Sequence, residues 1–217
     1  MKTVFLFAKT DAVVAPDRKS RTKFVRAVEG ARDRAVIIQT PVMTGAGAII
    51  GDKVITSLLL VANFTEVLIR FAKGKRMPAF VTRRDYTHNL AELVPSSRGL
   101  SGGDYTPLAS SSNPKLGEIR EVGSPLLVVD VGSGVPVVNV AGTRYMTSLA
   151  ERFEDQLKIK PNAPRGLIGG AVWGVDGRFV GLTIGEKIPP ANDPTDPQFP
   201  SVYALPSREV MEFVESN

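Results

Sequence analysis

The chain has 217 residues, of which 43% are hydrophobic and 23% charged, and its mean hydropathy is +0.02. This balance excludes a disordered chain, and 20 glycines and 16 prolines without a period exclude a collagen-like one. At this length folding buries roughly 70% of the unfolded surface, so no staple is needed for stability. With no cysteine and one histidine, disulfides, cysteine-zinc sites, thiol nucleophiles and multi-histidine metal motifs are all excluded.

In chain order, Met1-Lys2 precedes a short apolar run, Val4–Ala8, that stops at Lys9. It is shorter than the roughly 7–15 residues of a signal-peptide core, and no stretch approaches the roughly 20 apolar residues of a membrane span. Residues 17–34 are strongly basic, with Phe24, Val25 and Val28 at helical spacing, and predict a short amphipathic helix. From Ala35 onward short β-rich runs are punctuated by Gly, Pro and Asp. They are Val36–Ile38, Ala46–Ile50, Val54–Thr56, Val67–Phe71, Ala79–Thr82, Leu126–Val131, Val135–Val140, Ala171–Val175, Phe179–Ile184 and Ser201–Leu205. Short strands at this spacing predict an all-β sandwich or barrel. Ser207–Glu215 predicts a terminal helix with Ser207 as its N-cap. Two segments, Pro95–Lys115 and Glu186–Pro200, predict long loops. The division expected is an N-terminal segment with a basic helix (1–34), a first β unit with a Ser/Gly-rich linker (35–115) and a second β unit with the C-terminal helix (116–217).

Two segments carry a resemblance. The first runs Gly45-Ala46-Gly47-Ala48-Ile49-Ile50, a Gly51-Asp52 turn, then Val54-Ile55-Thr56-Ser57-Leu58-Leu59-Leu60-Val61, and continues to Asp85-Tyr86-Thr87-His88-Asn89-Leu90-Ala91. The second is Gly166-Leu167-Ile168-Gly169-Gly170-Ala171-Val172, followed by the Asp176-Gly177 hairpin, Gly181-Leu182-Thr183 and Tyr203-Ala204-Leu205-Pro206-Ser207. Together they resemble trypsin-like serine proteases of the HtrA/Deg type over roughly residues 22–215. The resemblance implies two packed six-stranded antiparallel β-barrels with short N- and C-terminal helices.

A serine-protease triad needs a hydroxyl nucleophile, an imidazole and an orienting carboxylate. By resemblance the imidazole position holds Leu59, the carboxylate position Asn89 and the nucleophile position Ile168. Ser57 lies two positions from Leu59 without an imidazole to serve it. The expectation is therefore a degenerate protease domain that is not an enzyme and acts as a protein-binding scaffold or regulator. Its old oxyanion loop would be Gly166, Gly169 and Gly170, with Leu59 and Ile168 in apolar contact across the cleft. Gly99-Leu100-Ser101-Gly102-Gly103 contains a second Gly-x-Ser-Gly-Gly string, but the following Asp104-Tyr105-Thr106-Pro107 is loop chemistry. A hydrolase using residues outside the triad positions is the alternative reading. His88, the one imidazole, is a weak metal candidate with Asp85, two ligands where zinc sites use three or four; no metal or other cofactor is expected.

The net charge is +5. Arg70, Lys73, Lys75, Arg76, Arg83 and Arg84 form an acid-free cluster over residues 70–84, which makes an anion-binding module a third reading. No aromatic nucleic-acid-binding pattern accompanies them, so nucleic acid is not the expected partner. The resemblance implies a protein or peptide partner, an active protease relative among them, and an extracytoplasmic, periplasmic location. It also implies association between copies through Phe5, Phe7 and Phe24. Contact with a membrane would need segments beyond this sequence.

Overall fold

Side chains alternate across a β-strand, so a strand covered on both faces can supply two cores at once. A computed structural model describes residues 18–72, 76–96, 113–117, 125–149, 153–160, 167–187 and 201–216. Helix α1 (Arg18–Asp33) leads into β1 (Ala35–Gln39), β2 (Thr44–Ile50) and β3 (Lys53–Ser57). A single-turn helix, α2 (Leu58–Val61), precedes β4 (Glu66–Phe71), β5 (Arg76–Asp85) and β6 (Leu90–Pro95). These six strands close into an antiparallel barrel in the order β1-β2-β3-β6-β5-β4. A second sheet follows: β7 (Pro125–Asp130), β8 (Val137–Leu149), β9 (Phe153–Lys160), β10 (Ala171–Gly174), β11 (Phe179–Lys187) and β12 (Ser201–Pro206). Its strands pair as β10-β11-β12-β9-β8-β7, and the ring closes through β10 and β7. Helix α3 (Ser207–Glu215) ends the described chain.

The alternation explains why the strands read as nearly continuous apolar runs. Val36, Ile38, Ile49 and Val54 fill the first barrel with Leu60, Ile69 and Leu93. Their neighbours Ala35, Ile37, Ala48, Ile50 and Ile55 face outward into a core shared with Leu127, Val129, Ala171 and Trp173 of the second sheet. Leu126, Val128 and Val172 point the other way, into the second sheet's own interior. Ala27 and Ala31 of α1 and Val210, Met211, Phe213 and Val214 of α3 complete the shared core. That seam is where the site lies.

The mostly-β expectation holds, and α1 and α3 fall where the apolar spacing places them. Three elements escaped the pattern. β6 (LAELVP) runs into a Ser/Gly-rich segment, β9 (FEDQLKIK) carries four charged residues, and α2 (LLLV) reads as an extension of β3. Ser207 is the first helical residue of α3 rather than its N-cap. Pro206 occupies the cap position without a side-chain bond, and the Ser207 hydroxyl donates to the Gly117 carbonyl at 3.2 Å.

The carbonyls at the end of α3 are met by cations from the first barrel. Lys53 Nζ donates to the Val214 carbonyl at 2.9 Å, while Arg83 donates to the carbonyls of Phe213 and Ser216. The Arg83 guanidinium also lies 4.1 Å from the Phe213 ring centroid. Cations at a helix C-terminus are favoured by the macrodipole. One carboxylate, Glu92, pairs with both, 3.2 Å from Lys53 and 3.3 Å from Arg83.

Candidate functional site at the seam

On the first-barrel side, the turn from β3 into α2 is held by side-chain hydrogen bonds. Ser57 Oγ accepts from the Leu59 N–H at 3.2 Å and donates to the Ile184 carbonyl on β11 at 2.9 Å. Asn89, in the turn before β6, repeats both contacts: Oδ1 accepts from the Leu59 N–H at 3.0 Å, and Nδ2 donates to the Ile184 carbonyl at 2.8 Å. One carbonyl of the second sheet therefore receives two donors from the first barrel. Asn89 adopts a left-handed backbone (φ 58°), a region that Asn tolerates better than most residues, and its own carbonyl accepts from the Leu58 N–H. The frame holds the Leu59 backbone while its side chain stays 52% exposed.

On the second-sheet side, the 167–170 turn faces inward. The Ile168 carbonyl accepts from Ala46 N–H of β2 at 2.8 Å, and its side chain packs, half-buried, on the first-barrel core. Gly169 N–H donates to the Thr183 carbonyl at 2.7 Å, and Gly170 N–H lies 2.8 Å from Thr183 Oγ1. The Thr183 hydroxyl donates to the Leu167 carbonyl. Gly169 has φ 82°, and a Cβ there would overlap the Ala46 carbonyl oxygen and the Thr56 hydroxyl. Both glycine amides are thus engaged internally, and Gly166 lies outside the described residues. Ile168 meets the core of the first barrel, whereas Leu59 remains half in solvent.

His88 sits beside Asn89 with Nδ1 2.6 Å from Asp85 Oδ2, its side chain 39% exposed. Partial burial raises the Asp85 carboxyl, but hydrogen bonds from the His88 side chain and the His88 and Thr87 amides, with the His88 charge, outweigh it and hold the carboxyl below its ordinary value. Among the described residues no group of three His, Asp or Glu could hold a metal ion.

The basic cluster divides. Arg83 caps α3, and Arg84 donates from Nη2 to the Phe64 carbonyl at 2.7 Å. Arg70 donates to the Gly134 carbonyl across the seam, and Arg76 is exposed. Lys73, Lys75, Phe5, Phe7 and the Ser101 string lie outside the described residues. What the sequence reading missed is the polar frame itself, Ser57 with Thr183. The one available signal was a serine at a strand-to-helix junction, which is an N-cap pattern.

No family model matches the sequence, and no curated protein matches it. Solved structures share its fold. Rv3671c from M. tuberculosis H37Rv, in a mutant, inactive form, superposes with a TM-score of 0.64 at 21% identity over 93% of this chain and 94% of that one. A serine endoprotease from Yersinia pestis gives 0.68 at 16% identity, covering 93% of this chain and 66% of its own. The HtrA-type protease AlgW, with a tripeptide, gives 0.70 at 18%, covering 89% and 62%. Identities this low show the trypsin-like fold. They also correct one expectation, that the chain is not an enzyme. The neighbours are named proteases, Rv3671c among them in a second structure of its inactive form, and nothing shows a loss of activity in this chain. Which side chains stand at positions 59, 89 and 168 does not by itself decide whether the chain is active.

Proposed function

We propose that this chain, as two packed barrels of trypsin type, binds an extended polypeptide along the seam that Leu59 and Ile168 line. The observation that carries this reading is the Leu59 turn. A half-exposed apolar side chain is fixed on a backbone held by Ser57 and Asn89, and a half-buried one, Ile168, packs on the core of the same barrel. A rigid apolar surface with a few placed polar groups is what a recognition site needs. The test is fluorescence anisotropy of labelled, permanently unfolded casein. Saturable binding that weakens about tenfold in Leu59→Asp, with an unchanged melting temperature, supports the reading. Equal binding by that variant overturns it.

A second reading, hydrolysis by groups outside Leu59, Asn89 and Ile168, is favoured by the His88–Asp85 pair and by the names of the fold's neighbours. A base oriented by a carboxylate is half of an activated-nucleophile arrangement. Casein cleavage that survives repurification and disappears in His88→Ala supports it. Absence of cleavage, with no labelling by a fluorophosphonate, removes it.

A further inference from the structure

A crevice of about 190 Å³ opens between the first barrel and the turn that follows β7. Its apolar lining is the buried Ile37 and Val131 with the exposed Leu68 at the rim, and its polar lining includes Gln39, Arg70 and Arg76. Register explains the grouping. Arg70 of β4 pairs directly with Arg76 of β5, and Ile37 of β1 pairs with Arg70, so all three project from the same face of the barrel. Like charges directly opposite across an antiparallel pair repel. Among the described residues neither arginine has a carboxylate partner. Arg70 is nonetheless held in place, because it donates to the Gly134 carbonyl in the turn on the other side of the seam. The result is one anchored guanidinium and one that, among the described residues, has no carboxylate partner, side by side over a greasy floor.

We infer that this crevice binds a carboxylate carried on a small apolar group, and that its occupant is the free C-terminal residue of a peptide ending in an apolar side chain. Guanidinium groups match carboxylates with paired, charge-assisted hydrogen bonds. The apolar floor selects against a bare inorganic anion, which has nothing to place there. The volume lies below the roughly 300–1,000 Å³ of sites for drug-sized ligands, which limits the buried part to about one residue. This site is on a different part of the seam surface from Leu59 and does not rest on the reading given for that turn.

The test uses the full chain and a fluorescent hexapeptide ending in leucine, as the free acid and as the C-terminal amide. The acid is expected to bind saturably with a Kd tighter than about 1 mM, and the amide about tenfold more weakly. Arg76→Gln, an exposed position, should weaken the acid about tenfold while leaving the melting temperature and the amide's affinity unchanged. Leu68→Ser should weaken the acid as well. Equal binding of acid and amide, failure of the acid to saturate, or displacement of the peptide by inorganic phosphate as readily as by acetyl-leucine would each overturn the inference.

Discussion

The two sides of the seam are built by opposite means. The first-barrel side is held by side chains: Ser57 and Asn89 reach across to one carbonyl, Ile184, and fix Leu59 between them. The second-sheet side is held by backbone: Gly169 and Gly170 bring main chain against main chain, with Thr183 the one side chain that joins in. A frame made of side chains leaves its central residue free to vary, so Leu59 can project into solvent. A frame made of close backbone approach leaves no room for variation at the glycines and turns Ile168 inward.

That contrast predicts a graded response to substitution. The largest effect belongs to Gly169→Ala, which places a Cβ into Ala46 and Thr56 at a left-handed backbone position. A loss on the order of 3 kcal/mol, or no folded protein, is expected in urea titration, since backbone strain alone costs about 1–3 kcal/mol. Next is Thr183→Val, which removes the hydroxyl that both the Leu167 carbonyl and the Gly170 amide engage; these two groups keep their own 2.9 Å bond, so the cost should be about 1–2 kcal/mol. If it costs less than Ser57→Ala, the division between a backbone-held and a side-chain-held side is wrong.

Asn89→Asp tests the opposite frame. It keeps an acceptor for Leu59 but replaces the donor to Ile184 with a carboxylate oxygen facing a carbonyl, and should cost about 1–2 kcal/mol at neutral pH. Protonating the new carboxyl returns a donor, so the deficit should shrink in acid; a deficit that stays constant with pH would place the damage elsewhere. Asp85 supplies part of the native pH dependence. Its carboxyl is lowered in the folded chain, so its contribution is present above the ordinary range near pH 3.9 and is lost as pH falls through the lowered value. Asp85→Asn should therefore lower stability in the neutral region and leave the acid end nearly unchanged, which flattens the acid limb of a stability-against-pH curve. The smallest effect is Leu59→Ala. With its side chain half in solvent, the loss should stay under about 1 kcal/mol in the same titration.

The sequence made the strands legible wherever apolar residues ran unbroken, because both faces of β1, β2, β7 and β10 are buried and nothing polar interrupts them. It hid β9, whose charges break the run, and α2, whose four apolar residues have no period long enough to read. At the site, positions 59, 89 and 168 could be singled out from their flanking motifs. Their arrangement could not. Nothing local to Ser57 or Asn89 says that both will meet the carbonyl of Ile184, 127 and 95 positions away. The basic cluster shows the same limit. Charge in a sequence is a sum, and only the fold shows that Arg83 belongs to a helix end and Arg76 to a crevice.

The clasp on α3 sets an order of events for a chain leaving the ribosome. Lys53 and Arg83 are made 130 to 161 positions before the carbonyls they meet. At about 5–20 residues per second, that separation is a wait of roughly 6–30 s. During it the first six strands can pair among themselves, but the outward face of Ile37, Ile50 and Ile55 has neither the second sheet nor the last helix to cover it. A newly made first barrel is thus a half-finished object with a sticky side, and the helix that closes it arrives as a latch from the far end of the chain.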